Sequence, residues 1–140
     1  METKREAIRL FPEELGDVFY GTSGVKNVEI YVDEKNCVEL LSVLKKQDKR
    51  TKRILYEILR DAYNNDLYRK EAISDKAKDI TAMKFTNSPN RIYCKEFHFE
   101  NNKKIVVLIR THNKKSEKID KKTRNIIESI AEYEYNFEEY

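Results

Sequence analysis

Glycine and proline are scarce, three and two in 140 residues, which argues against a turn-rich sandwich or barrel. The sequence also lacks a glycine-rich phosphate loop, a GxSxG nucleophile turn and an HExxH zinc motif. Cys37 and Cys94 are too few and too far apart for a zinc ligand set, and with no sign of an oxidising compartment both are expected as buried, reduced thiols. His98 and His112 add no metal site to them. No apolar run approaches the roughly 20 residues of a membrane span, and Met1 to Pro12 has no signal-peptide core, so a cytoplasmic protein is expected. Hydrophobic residues make up 39% and charged residues 38%. That balance predicts a single thin domain, one sheet with helices, exposing much charge.

What is present centres on Lys103 to Lys118, KKIVVLIRTHNKKSEK. The apolar, mostly β-branched run Ile105 to Ile109 predicts a strand buried on both faces. It ends abruptly in Arg110, Thr111, His112, Asn113, Lys114 and Lys115. Simple alternation puts Val106, Leu108, Arg110 and His112 on one face, with a guanidinium and an imidazole together at the rim of a sheet.

Charge is unevenly spread. Between Asn101 and Arg124 nine cations face only Glu117 and Asp120, whereas after Arg124 there are five glutamates and no cation. Such asymmetry fits a polyanion partner or a solvated lysine-rich face.

Taken in order, residues 1–26 predict an N-terminal appendage, with a short helix opening at Pro12 and stopping near Gly21. Val28, Ile30 and Val32 alternate as a half-buried strand. Asp33 or Asn36 then caps a helix to about Lys46, with Val38, Leu41 and Leu44 inward. A second helix, Thr51 to about Asp66, is capped by Thr51 and carries the stripe Ile54, Leu55, Ile58, Leu59, Ala62 and Tyr63. The short link between them predicts a helical hairpin. Leu67 to Lys78 has no clear pattern. Strands follow at Asp79 to Phe85 and Arg91 to Phe99, the latter joined to Ile105–Thr111 through a turn at Glu100, Asn101 and Asn102. A last helix, about Asp120 to Tyr135, buries Ile126, Ile127, Ile130 and Ala131. The expected class is α+β, with a helical hairpin and a C-terminal helix packed on a small, mainly antiparallel sheet, in one domain over residues 27–140.

With that order, the second half resembles the RelE/ParE toxin superfamily, and most closely its phage-derived HigB-like branch. The resemblance rests on Lys84-Phe85, on Asn90-Arg91-Ile92-Tyr93, on the strand Ile105 to Ile109, on Lys114-Lys115-Ser116-Glu117-Lys118 and on the closing helix. It implies a compact RNase-like fold, a ribosome-dependent mRNA endonuclease, no metal or other cofactor, and a cognate antitoxin that wraps the basic face. Position by position, Arg91 matches the family's phosphate-binding arginine and Arg110 a functional basic residue at the end of the central strand. Lys114 and Lys115 match a lysine pair that contacts RNA, with Lys84 and Lys118 as further RNA contacts. Two departures stand out. His112 lies where that branch more often has an aromatic residue, and the proline expected beyond the lysine pair is missing.

Cutting RNA without metal requires a base for the 2′-hydroxyl proton, an acid for the leaving oxygen and cations for the developing phosphorane charge. Arg91 and Arg110 suit the last task, and His112, which titrates near neutrality, suits the first two. A lysine of depressed pKa or a tyrosine is the substitute. The bland readings are an Arg91 ion pair with Glu96 or Glu128, an ordinary strand-end role for His112, packing for His98, and core or helix-end packing for Tyr133, Tyr135, Phe137 and Tyr140. Two other functions remain open: a ParE-like toxin that inhibits gyrase by binding, and a catalytically inactive nucleic-acid-binding protein of the same fold. The oligomeric state is not legible.

Overall fold

In the computed structural model, described over residues 3–10, 27–71, 73–115 and 120–137, the chain is α+β: three helices on a mixed seven-stranded sheet. The elements are β1 (Lys4–Arg9), β2 (Asn27–Asp33), α1 (Cys37–Lys46), α2 (Asp48–Leu59), β3 (Tyr68–Lys70), β4 (Ile80–Lys84), β5 (Arg91–His98), β6 (Lys103–His112), α3 (Lys121–Ala131) and β7 (Glu134–Phe137). The sheet order is β3-β4-β5-β6-β2-β1-β7, antiparallel except where β2 meets β6 and β1 meets β7.

β6 sits centrally because Ile105 to Ile109 are buried on both faces. Each such side chain contributes about 1.5–3 kcal/mol by leaving water. One face packs Val106, Leu108, Ile92 and Cys94 against Leu40, Val43 and Leu44 of α1 and Ile54, Leu55 and Ile58 of α2. The opposite face packs Val107, Ile109 and Tyr93 against Ile126, Ile127 and Ile130 of α3. Both described cysteines are free thiols; Cys94 is buried and Cys37 only partly so.

The expected order of strand, helical hairpin, three antiparallel strands and helix is present as β2, α1, α2, β4, β5, β6 and α3. Several details differ. Residues 4–9 are not outside the domain: β1 pairs with β2 and β7, and Arg5 grips the buried carboxylate of Asp33 at 2.6 and 3.0 Å. The helix expected at Pro12 lies outside the described residues. Val38 is 81% exposed, and Leu40 and Val43 fill the inward positions with Leu44. Thr51 is inside α2, donating to the Leu44 carbonyl of α1, and α2 stops at Leu59, with Asp61 at φ 59° just beyond.

At the hairpin, Asn101 and Asn102 both take φ 63°, the left-handed geometry of a two-residue turn that asparagine tolerates. α3 ends at Ala131, and Tyr135 lies in β7, not in a helix. Its hydroxyl donates to Asp33 at 2.6 Å, and burial, aided by that contact, pushes the phenol pKa far up.

A second polar cluster is buried near the turn that joins β5 to β6. Glu96 accepts from Tyr63 at 2.7 Å and Tyr68 at 2.6 Å, and Lys104 reaches Glu96 at 2.9 Å and Asp61 at 2.7 Å. His98, expected as a packing residue, has a side chain 47% exposed beside this cluster. Among the described residues no helix is long and apolar enough to cross a membrane.

Candidate nucleic-acid interface

The end of the sheet opposite that turn collects cations through strand register alone. Lys84 is paired with Arg91, and Arg91 with His112, across β4, β5 and β6. One step inward, Arg69, Ala82, Tyr93 and Arg110 form a parallel row across β3 to β6. Directly opposite residues share a face, so these rows bring two strand-separated arginines to one surface beside an imidazole.

The face is not the one that simple alternation predicts. Register shifts between Tyr93 and Cys94: Tyr93 pairs with Arg110, but Cys94 pairs with Leu108, leaving Ile109 as an extra residue. This β-bulge inverts the alternation. Val106 and Leu108 pack under α1 and α2, while Arg110 and His112 join Tyr93 on the α3 side. The freed Ile109 carbonyl accepts from the Asn36 side chain at 2.8 Å. Asn36 therefore makes no capping bond to α1, although it precedes it.

His112 lies with its ring 5.8 Å from that of Tyr93 and its Nε2 3.1 Å from Thr123 Oγ1 of α3. Burial lowers its pKa below 6.5, and Arg110, Lys122 and Arg91 push the same way against the opposing pull of Asp120. Each of these pulls except that of Asp120 favours the neutral imidazole, the form that accepts a proton. Asp120 accepts from the Thr123 amide at 2.7 Å, capping α3 and holding its own pKa below the usual carboxylate value. Burial and Glu71 raise the Tyr93 phenol to about 12, while Arg91 opposes them.

Among the described residues neither Arg91 nor Arg110 enters an ion pair; Glu96 is committed to the buried cluster and Glu128 faces Arg124. Arg110 is exposed and lines a cavity of about 560 Å³ with Lys121, Lys122, Asn125, Ile126 and Ser129 of α3.

The lysine pair divides. Lys115 is exposed, whereas Lys114 is 8% exposed and its main chain is clamped to Asn90 by bonds of 2.8 and 2.9 Å. Lys84 is half-buried, and Lys118 lies outside the described residues. Arg69, Lys122 and Thr123 belong to the site without having been expected there. Lys122 stood within the basic run, but nothing marked Arg69, whose strand has three residues. Among the described residues no group of three or more His, Cys, Asp or Glu side chains is arranged to hold a metal ion.

Comparison of the chain with protein-family models, with curated proteins and with solved structures finds no match in any of the three.

Proposed function

We propose that this chain is a type II toxin of the RelE/ParE kind, nearest the HigB-like branch: an endoribonuclease that cuts messages in the ribosome by general acid/base chemistry without a metal. The observation that carries the reading is the register that sets His112 opposite Arg91, its cross-strand partner, and on the same face as Arg110, two residues before it. The order of β2, α1, α2, β4, β5, β6 and α3 also agrees with the resemblance. His112 takes the 2′-hydroxyl proton as the 2′-oxygen bonds to phosphorus, and Arg91 and Arg110 stabilise the charge that grows on the phosphate. The P–O5′ bond breaks with the 5′-oxygen taking a proton from water, which leaves a 2′,3′-cyclic phosphate. Lys115 and Lys122 hold neighbouring phosphates. In the cytoplasm, where messages are translated, a cognate antitoxin would silence the protein by covering this basic end.

The test is primer extension on a translated message after induced expression, with cuts inside codons as the expected result. Arg91→Ala and Arg110→Ala should each lower cleavage by about 10²–10³, the usual cost of one charge-stabilising donor, and abolish growth arrest while circular dichroism stays unchanged. Growth arrest with an SOS response and no cuts would replace this reading with gyrase inhibition. Full toxicity in both variants would remove the site.

A further inference from the structure

A second cavity, of about 430 Å³, opens at the same end of the sheet toward α2. Arg50 and Arg53, one helical turn apart on α2, line it together with Lys84 and Arg91, and Asp66 is the one carboxylate among its lining residues. The cations are steered into place by main-chain carbonyls. Arg50 donates to Lys84 O at 2.9 Å and Asp66 O at 2.6 Å, Lys84 to Asn65 O at 2.7 Å, and Arg91 to Asn90 O at 2.9 Å. Neutral carbonyls orient a guanidinium without cancelling its charge. The Nε of Arg91 is buried with no hydrogen-bond partner among the described residues, a donor such a fold rarely leaves unused. Arg53 is exposed and enters no ion pair among the described residues.

We infer that this cavity is a phosphate-binding subsite, formed by Arg50, Arg53, Lys84 and Arg91, that takes a backbone phosphate of single-stranded RNA next to the one held at His112. Phosphate as the ligand class follows from the cavity itself; RNA as its source rests on the endonuclease reading. The row from Lys84 through Arg91 to His112 crosses two strand spacings, about 10 Å. Arg91 lies in the middle, shared by both places, so a strand bound at His112 is led over the sheet edge toward α2.

The experiment is fluorescence anisotropy of a labelled single-stranded oligoribonucleotide across a KCl series, using the full chain. Each lost phosphate contact should flatten the slope of log affinity against log salt by about 0.7. Arg53→Gln, which removes no described hydrogen bond, should lower it by part of that amount, and Arg50→Gln with Arg53→Gln by the whole of it, since the subsite holds one phosphate. Unchanged slopes in both variants, together with a response of the melting temperature to inorganic phosphate that is the same in the wild type and in Arg53→Gln, overturn the subsite. A further outcome counts against RNA as the source: inorganic phosphate raises the melting temperature of the wild type but not of Arg53→Gln, while the RNA slopes stay equal. Message cleavage with unchanged slopes removes RNA from this subsite and leaves the endonuclease reading standing. Flattened slopes in a chain that cuts no message leave the subsite standing and sink the endonuclease reading.

Discussion

Asn36 donates its side-chain amide to the carbonyl of Ile109 at 2.8 Å, joining the start of α1 to the β6 bulge 73 residues away. The bulge decides which face carries Arg110 and His112, so one amide supports the geometry of the candidate site. Asn36→Leu keeps the shape and removes the donor. It should cost about 1–3 kcal/mol, the usual penalty for a polar group left unsatisfied. Urea denaturation reads the loss. Affinity for single-stranded RNA should fall as well, measured where the variant is still folded; an unchanged affinity would mean that the bulge holds without Asn36.

His112 sets a pH dependence with a definite sign. Its folded-state pKa lies below the ordinary 6.5, so below that pH the unfolded chain binds the proton more readily. Stability relative to His112→Gln should therefore be full above about pH 7 and decline as pH falls through 6.5 toward the depressed folded value. Denaturation of both proteins at several pH values between about 5 and 8 supplies the difference. A difference that does not vary with pH would show that the imidazole titrates as it does in solution. Cleavage, if His112 is the base, should hold its rate until the pH drops below 6.5.

Lys104 and Glu96 test the other end of the sheet. Both side chains are at most 1% exposed, and Glu96 has two tyrosine hydroxyls besides the ammonium. Lys104→Met would leave a buried carboxylate without its counter-charge, a change that typically costs about 3–5 kcal/mol. Replacing both, as Glu96→Leu with Lys104→Met, should cost less than the single change. Equal losses would argue against an uncompensated charge as the cause.

How much of this was legible depended on how strongly one force acted on each segment. Ile105 to Ile109 announced a central strand because burial on both faces leaves an unbroken apolar run. Asn101 and Asn102 marked their turn through their own backbone preferences. The bulge was invisible, since alternation assumes one residue per pleat and nothing in Leu108-Ile109-Arg110 signals an extra one. β3 is too short to have a pattern and exists by pairing with β4. β7 follows α3 with no glycine or proline between them, so its alternation looked like one more helical turn. The rim charges Arg110 and His112 were readable as neighbours, but their face was not, and nothing marked Arg50, in the link before the second expected helix, or Arg53, off its apolar stripe.

Removing residues 1–9 would test whether β1 is an integral strand. The deletion takes away Arg5, leaving Asp33 buried with Tyr135 and the Asn36 amide as its remaining partners among the described residues, and it uncovers the edges of β2 and β7. A loss of at least about 3 kcal/mol, with association visible by size-exclusion chromatography, is expected. A monomer of wild-type stability would restore the view that these residues are dispensable.

The parallel pairing of β1 with β7 joins Lys4 to Glu134. During synthesis, β1 must wait until β7, on the far side of α3 in the chain, has been translated. Until then its outer edge stays open, and the nascent chain cannot finish its sheet however early the helical hairpin and β6 have assembled.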